Sequence, residues 1–324
     1  MRSIVRDART ALAALAFGLL AGAATAQEPK PKAARPDIYD PKADTSAQLD
    51  SATAKARRDQ TRVLVMFGGN WCGWCHKLHD LFGSDREIAT LLRNEYQLVM
   101  VDTEAPGADD LLVRCKAALP EEELKRGVGY PFLAVLDADA KILTAQRTDP
   151  LEAGDHHDPA KVKAFLEAHK APPVDARVVL DSALKRAASE DKLVFLHFGA
   201  PWCGWCHRLE DFMARPEVAS ILARDFLDVK IDTDRMTHGQ DVLGEYCKKP
   251  GGIPWIVFLS PRGEPIITSD SAKGNIGYPV EPFEIDHFVA MLKKAARRIE
   301  SGQIDEIEAA LKASAEKIKA NRAG

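Results

Sequence analysis

Trp71-Cys72-Gly73-Trp74-Cys75-His76 returns residue for residue as Trp202-Cys203-Gly204-Trp205-Cys206-His207. Each copy follows directly on a strongly apolar, strand-like run. In the first copy that run is Arg62-Val63-Leu64-Val65-Met66-Phe67, closed by the turn-forming Gly68-Gly69-Asn70. The shared register reaches beyond the hexapeptide: Asp50-Ser51-Ala52 precedes the first copy and Asp181-Ser182-Ala183 the second, again 131 residues apart. A repeat of that length is a whole folding unit, so the chain reads as one domain present twice.

The compartment decides what vicinal cysteines do, and the N-terminus speaks to it. Arg2, Arg6 and Arg9 make a positive n-region, residues 11–21 an apolar h-region, and Ala24-Thr25-Ala26 a small-residue cleavage pattern. We expect a signal peptide over 1–26, export to an oxidising space such as a periplasm, and a soluble mature chain. The apolar run falls short of the roughly 20 residues that span a bilayer. No cysteine near the cleavage site offers a lipid attachment point, and the leader has no Arg-Arg pair. The full chain has 324 residues, 46% hydrophobic and 28% charged, with a formal net charge of −4. Loss of the leader, with three arginines and Asp7, makes that −6. That balance gives no electrostatic reason for nucleic acid or an anionic membrane as partner. Six cysteines, three per repeat, are too few for a disulfide scaffold of this size.

The order of signals then gives the organisation. A Pro/Lys/Ala-rich tether (27–43) precedes a first domain (44–170), a short linker (171–176) built on Ala171-Pro172-Pro173-Val174, and a second domain (177–300). Within the first, a helix over 46–58 leads to the strand before the motif. The motif opens an amphipathic segment with Leu78, Leu81 and Phe82 at helical spacing, and a further helix runs through Ile88, Leu91 and Leu92. A second strand, Gln97-Leu98-Val99-Met100-Val101, ends at Asp102-Thr103, as its counterpart ends at Asp232-Thr233. The halves differ in loop length and then converge on Pro131-Phe132-Leu133-Ala134-Val135-Leu136 and Pro254-Trp255-Ile256-Val257-Phe258-Leu259, each a proline opening a buried strand. Closing helices are expected near 159–169 and 282–298. Apolar residues at Ile304, Ile307 and Leu311 suggest an appended C-terminal helix over 301–324.

Strand, Cys-x-x-Cys at a helix start, strand, and a proline opening a third strand: in this order the chain resembles the thioredoxin superfamily, twice over. The resemblance implies an α/β fold of two tandem thioredoxin-like domains, each a four-stranded mixed sheet flanked by helices, with cis peptide bonds before Pro131 and Pro254 beside the dithiols. The Trp-Cys-Gly-Trp-Cys-His form is similar to the exported branch of that superfamily. It implies a thiol:disulfide oxidoreductase whose only redox groups are its disulfides, with no other cofactor and no metal. Its partners would be protein thiols or disulfides, plus a membrane thiol-transfer or re-oxidising protein.

The chemistry follows from the residues as well. A helix N-terminus lowers a cysteine pKa through its unpaired N–H groups and positive dipole, which makes Cys72 and Cys203 the candidate nucleophiles. Cys75 and Cys206 lie one turn on, within reach of the mixed disulfide, as resolving thiols. His76 and His207 either favour the thiolate as imidazolium or are solvated side chains. Trp71 and Trp202 form a flat rim for docking substrate, while Trp74 and Trp205 either pack against a neighbouring loop or tune the redox pair. Thioredoxins carry a buried Asp six residues before the first cysteine. Met66 and His197 stand there instead, so His197 is either a core histidine satisfied by a hydrogen bond or a proton handler for Cys206 that the first domain lacks. Cys115 and Cys247 are expected as buried, unpaired thiols. His156-His157 reads as a solvated loop rather than a metal ligand pair.

Two readings from other classes stay open at this level. Cys-x-x-Cys-His is also the attachment signature of c-type haem, so two copies in an exported chain fit a dihaem electron carrier. The same folds could also serve as a peptide-binding module with static disulfides.

Overall fold

The structure is a computed structural model and describes residues 35–249 and 251–323. The expected signal peptide and the first part of the tether lie outside the described residues.

In the first domain Asp44 caps helix α1 (Thr45–Asp59) by accepting the Ala47 N–H, and the helix ends on Gln60 in the left-handed conformation. Strand β1 (Arg62–Gly68) is buried from Val63 onward, because helices cover both of its faces. Val63, Val65 and Phe67 pack on Leu49 and Ala52 of α1; Leu64 and Met66 face the other way, onto the helices that follow the motif. Those are α2 (Gly73–Ser84) and α3 (Arg86–Glu95), which lead to β2 (Tyr96–Asp102). Helices α4 (Ala108–Lys116) and α5 (Glu121–Lys125) precede β3 (Phe132–Leu136) and β4 (Ile142–Arg147). A two-residue hairpin, β5 (Glu152–Ala153) with β6 (His156–His157), and helix α6 (Pro159–His169) close the unit. The sheet order is β2-β1-β3-β4, with β1 parallel to β2 and antiparallel to β3.

The second domain repeats this plan. Helix α7 (Ala176–Glu190), β7 (Leu193–Gly199), α8 (Gly204–Met213), α9 (Pro216–Leu222), β8 (Phe226–Asp232), α10 (Gly239–Tyr246), β9 (Trp255–Leu259) and β10 (Pro265–Thr268) give the order β10-β9-β7-β8. A small hairpin, β11 (Asp270–Ser271) with β12 (Gly274–Asn275), precedes α11 (Pro282–Ala295) and α12 (Ser301–Ala323). The appended helix expected from the C-terminal sequence is therefore present. Its Ile304, Ile307, Leu311, Ala315 and Ile318 join the same core as Phe195, Phe258 and Phe288.

Three boundaries differ from the sequence reading. Tyr39, inside the expected tether, is buried in the first domain's core. The Asn70 side chain clamps that segment, accepting the Ile38 and Tyr39 N–H groups at 2.9 Å and donating to the Tyr39 carbonyl at 2.9 Å. Helix α11 stops at Ala295 rather than near residue 298. There the buried Asp225 carboxylate takes the N–H groups of Arg297, Arg298 and Ile299 and turns the chain out of the helix. The end of the linker is held to the second domain, with Ala176 N–H donating to the Thr237 carbonyl and Thr237 N–H to that of Val174.

The domains are docked through charged groups at the end of α1. Arg235 donates to the carbonyls of Asp59 and Gln60 at 2.7 and 3.1 Å, and twice to the Glu95 carboxylate at 3.1 and 2.9 Å. Its guanidinium thus satisfies the carbonyls that a helix C-terminus leaves open. Lys230, on β8, bonds Asp59 at 2.8 Å.

Candidate functional site

Each motif sits where a buried strand hands over to a helix. Cys72 is the N-cap of α2 and Cys203 of α8, and each sulfur accepts the N–H of the second cysteine at 3.1 Å. Both pairs are disulfide-bonded, with Cα atoms 5.2 Å apart. Cys72 and Cys203 are each 5% exposed, whereas Cys75 and Cys206 are fully enclosed. An outside thiol can therefore reach only the first sulfur of each pair, the one at the helix N-terminus.

The cis bonds implied by the resemblance are present at Tyr130–Pro131 and Ile253–Pro254. Cys203 Sγ lies 3.5 Å from the Ile253 carbonyl, which puts the proline loop directly against the outer sulfur. Thr148 Oγ1 donates to the Pro131 carbonyl at 2.7 Å, and Asn275 Nδ2 donates to that of Pro254 at 2.9 Å, so each loop is braced from behind. A cavity of about 330 Å³ runs beside the second loop, lined by Trp205, Ile253, Pro254, Asn275 and Tyr278.

Trp71 and Trp202 are 65% and 59% exposed. Trp71 stands edge-on to Tyr130, and Trp202 donates from Nε1 to Asp234 at 2.6 Å. Trp74 and Trp205 pack instead. Trp74 meets the edge of His157 at 5.2 Å between ring centres, and Trp205 stacks on Tyr278 at 6.2 Å.

The motif histidines hold the main chain. His76 is buried, with Nε2 at 3.0 Å from the Asn70 carbonyl, and His207 Nε2 lies 2.8 Å from that of Pro201. The ring nitrogen that would ligate a haem iron is thus engaged by backbone, and the sulfurs a haem would take are bonded to each other. His207 Nδ1 also stands 3.6 Å from Glu210, whose carboxylate raises the imidazole pKa against the opposing effect of burial.

His197 is buried, as a core position requires, but pairs at 3.1 Å with Asp228, and its Nδ1 has no partner. The acid beside Cys206 is Glu210, which the sequence reading missed. A Cβ added to Gly199 would lie 3.3 Å from Cys206 Sγ and 3.8 Å from Glu210 Oε1, so both groups border the same small space. The signal was available: residue 210 lies four after Cys206, one helical turn on the same face. Its counterpart in the first copy is His79. Behind Cys75 the corresponding space at Gly68 is shared with the Tyr39 hydroxyl. Burial, with a smaller push from Asp102, drives that phenol's pKa well above the usual tyrosine range.

Cys115 is buried and unpaired, its thiol pushed up to about 12 by burial. Cys247 is unpaired but only half-buried at the end of α10, and donates to the Lys249 carbonyl at 2.9 Å. His156 is exposed, whereas His157 is enclosed under Trp74. Burial, with Lys77 and His156 adding to it, lowers the His157 pKa to about 4.

Two family models match the chain, one on each half. Residues 44–138 match a family described as thioredoxin-like, and residues 159–319 one described as a protein of unknown function, DUF255. Human spermatogenesis-associated protein 20 is 30% identical over 107 residues, 32% of this chain and 14% of that protein. Protein disulfide-isomerase erp38 of Neurospora crassa is 27% identical over 213 residues, 62% of this chain and 50% of its own length. The chain thus spans half or less of these two relatives. A solved disulphide isomerase from Xylella fastidiosa Temecula1 is similar at a TM-score of 0.33 and 22% identity, over 40% of this chain and 95% of that one. By its family matches, its repeated sheet order and its paired cysteines at helix N-termini, the chain belongs to the thioredoxin superfamily.

Proposed function

We propose that the protein is an exported thiol:disulfide oxidoreductase that exchanges disulfides with protein thiols at Cys72–Cys75 and Cys203–Cys206. The observation that carries this reading is the same at both sites. An enclosed disulfide exposes only its helix-capping sulfur, between a protruding tryptophan and a cis-proline loop. In the reducing direction the Cys72 or Cys203 thiolate attacks a substrate disulfide, forming a mixed disulfide and releasing one substrate thiolate. The second cysteine loses its proton and attacks the first, closing the enzyme disulfide and releasing the other substrate thiolate. The oxidising direction is the reverse, and two electrons pass to or from a thiol-transfer partner at the membrane. The leader-like N-terminus supports a periplasmic location. No cofactor beyond the dithiols enters these steps.

The test uses the full chain. Cys75→Ser and Cys206→Ser should each accumulate a mixed disulfide with protein thiols, and Cys72→Ser with Cys203→Ser should abolish insulin reduction. The potential of each pair, read with the other pair removed by Cys→Ser, sets the direction. A value near about −270 mV marks a reductase or relay, and one of about −120 to −180 mV an oxidase or isomerase. Pairs that never exchange would leave a binding module with static disulfides.

A further inference from the structure

The two sites differ in what lies behind the inner sulfur. In the first domain β1 pairs Met66 with Met100, and the Tyr39 hydroxyl shares the space by Cys75. At the same register in the second domain, β7 pairs His197 with Lys230, and a carboxylate shares the space by Cys206. Glu210 is fully enclosed, yet its oxygens accept no aligned hydrogen bond; they are held at ion-pair distances. Lys230 Nζ on β8 lies 2.8 Å from Oε1, and His207 Nδ1 on the same helix lies 3.6 Å from Oε2. Arg58 on α1 reaches Oε2 at 3.6 Å. His197 faces it from β7 and is itself tied to Asp228.

Two of the residues that complete this cluster belong to the other domain. Arg58 also approaches Asp59 and Asp211, at 3.3 and 3.8 Å. Lys230 is divided between Glu210 and Asp59, at 2.8 Å each, and its side chain is 7% exposed. Burial works to lower the Lys230 pKa, but Asp59 and Glu210 overcome it and raise it. Burial likewise works to raise the Glu210 pKa, yet the His207 imidazole beside it and the charges of Lys230 and His197 take it down to about 2. Near neutral pH this carboxylate is a fixed negative charge rather than a store for a proton.

We propose that the first domain completes the second redox site. Arg58 and Asp59 hold the Lys230–Glu210 pair so that an ionised carboxylate borders Cys206, keeps that sulfur in its thiol form and leaves the thiolate to Cys203. Glu210 is a positioning residue that acts through Cys206. The reading deepens the proposed exchange activity and rests on it. A nearby negative charge disfavours a second one, so at a pH where Cys206 would otherwise ionise the second disulfide is harder to reduce than it would be with a neutral residue at 210. In the first site the position of Glu210 is held by His79, and the space by Cys75 is shared with the Tyr39 hydroxyl.

The test is made on the full chain with Cys72→Ser and Cys75→Ser, so that only the second pair reports. Two readouts are taken: the equilibrium constant against dithiothreitol, and the pH titration of the reduced Cys206 Cβ signal by NMR. Glu210→Gln should raise the ionisation constant of Cys206 about tenfold, the scale of removing one charge several ångströms away at intermediate dielectric. At alkaline pH, where Cys206 ionises, the equilibrium should shift towards the reduced pair by up to a similar factor, and at a pH where it stays a thiol in both forms it should not move. Asp59→Asn lets Lys230 settle on Glu210 alone and should act in the same direction, about threefold, although the residue lies in the other domain. Should Glu210→Gln fail to fold, Asp59→Asn carries the test, because Asp59 lies at the domain boundary. Less than a twofold effect from Glu210→Gln would overturn the proposal and make the cluster a docking contact alone. A full effect from Glu210→Gln with none from Asp59→Asn would overturn the part that crosses the domains. A wild-type second pair that never equilibrates with dithiothreitol refutes the exchange reading instead; the pair is then reduced with an excess of a phosphine, and the NMR titration of Cys206 still reads the field of Glu210.

Discussion

Replacing Arg235 with alanine should separate the two domains energetically without touching either disulfide. The guanidinium makes four hydrogen bonds across the boundary, two to the Glu95 carboxylate and two to the carbonyls that end α1. Both partners of the ion pair are nearly enclosed, with 11% and 15% of their side-chain surface exposed. Breaking a buried pair from one side costs about 3–5 kcal/mol, and hydrogen bonds to charged groups are worth roughly 1.5–3 kcal/mol each without being additive. The partial exposure selects the low end, about 3 kcal/mol. With a urea slope of about 3 kcal/mol/M, as suits a large unfolding surface, the midpoint of the earliest transition should fall by about 1 M. The assay is urea unfolding followed by far-UV circular dichroism for wild type, Arg235→Ala, Glu95→Ala and the double variant. A coupling energy of about 1–2 kcal/mol between the two positions is expected. Arg235→Lys should recover little, since an ammonium cannot span the carboxylate and both carbonyls at once. A loss under about 0.5 kcal/mol, or strictly additive single changes, would refute the account of how the domains are held.

Three further outcomes are expected. Trp71→Ala and Trp202→Ala should leave the unfolding free energy within about 0.5 kcal/mol while lowering kcat/KM for a protein disulfide about tenfold. Exchange with dithiothreitol should be unchanged, and an equal fall for both substrates would show that the rings serve the chemistry and not docking. His157 is held neutral in the fold with its pKa depressed from 6.5 to about 4, so the unfolded chain binds the extra proton between those values. Its contribution is complete above about pH 6.5 and lost as pH falls towards 4. By about pH 4.5 the loss should reach about 2 kcal/mol, and His157→Leu should flatten that part of the stability profile; parallel wild-type and variant profiles between pH 7 and 4.5 would contradict it. Gly68→Ala should cost about 1–3 kcal/mol, because its Cβ would collide with Cys75 Sγ and the Tyr39 hydroxyl. Gly199→Ala should cost less, since its nearest neighbours stand at 3.2 and 3.3 Å, and equal melting-temperature shifts for the two would undo that comparison.

What the sequence determined by itself is the content of each repeat. Cys72 and Cys203 at helix starts, the buried strands before them and the Pro131 and Pro254 strands are local patterns, set by apolar periodicity, turn chemistry and capping. They were legible because each depends on neighbours in the chain. The duplicated hexapeptide then fixed that the pattern occurs twice. The sequence could not reveal which charges meet across the domain boundary. Asp59 and Lys230 are 171 residues apart and join only when two separately wound sheets dock. Tyr39 behind Cys75 escaped for a similar reason: a Pro/Lys/Ala-rich segment reads as a tether until Asn70 is seen to clamp it. Glu210 lay on a legible helix face, but its consequence depended on Gly199 leaving room between it and Cys206. Electrostatic effects follow from distance and burial, and those are properties of the packed chain.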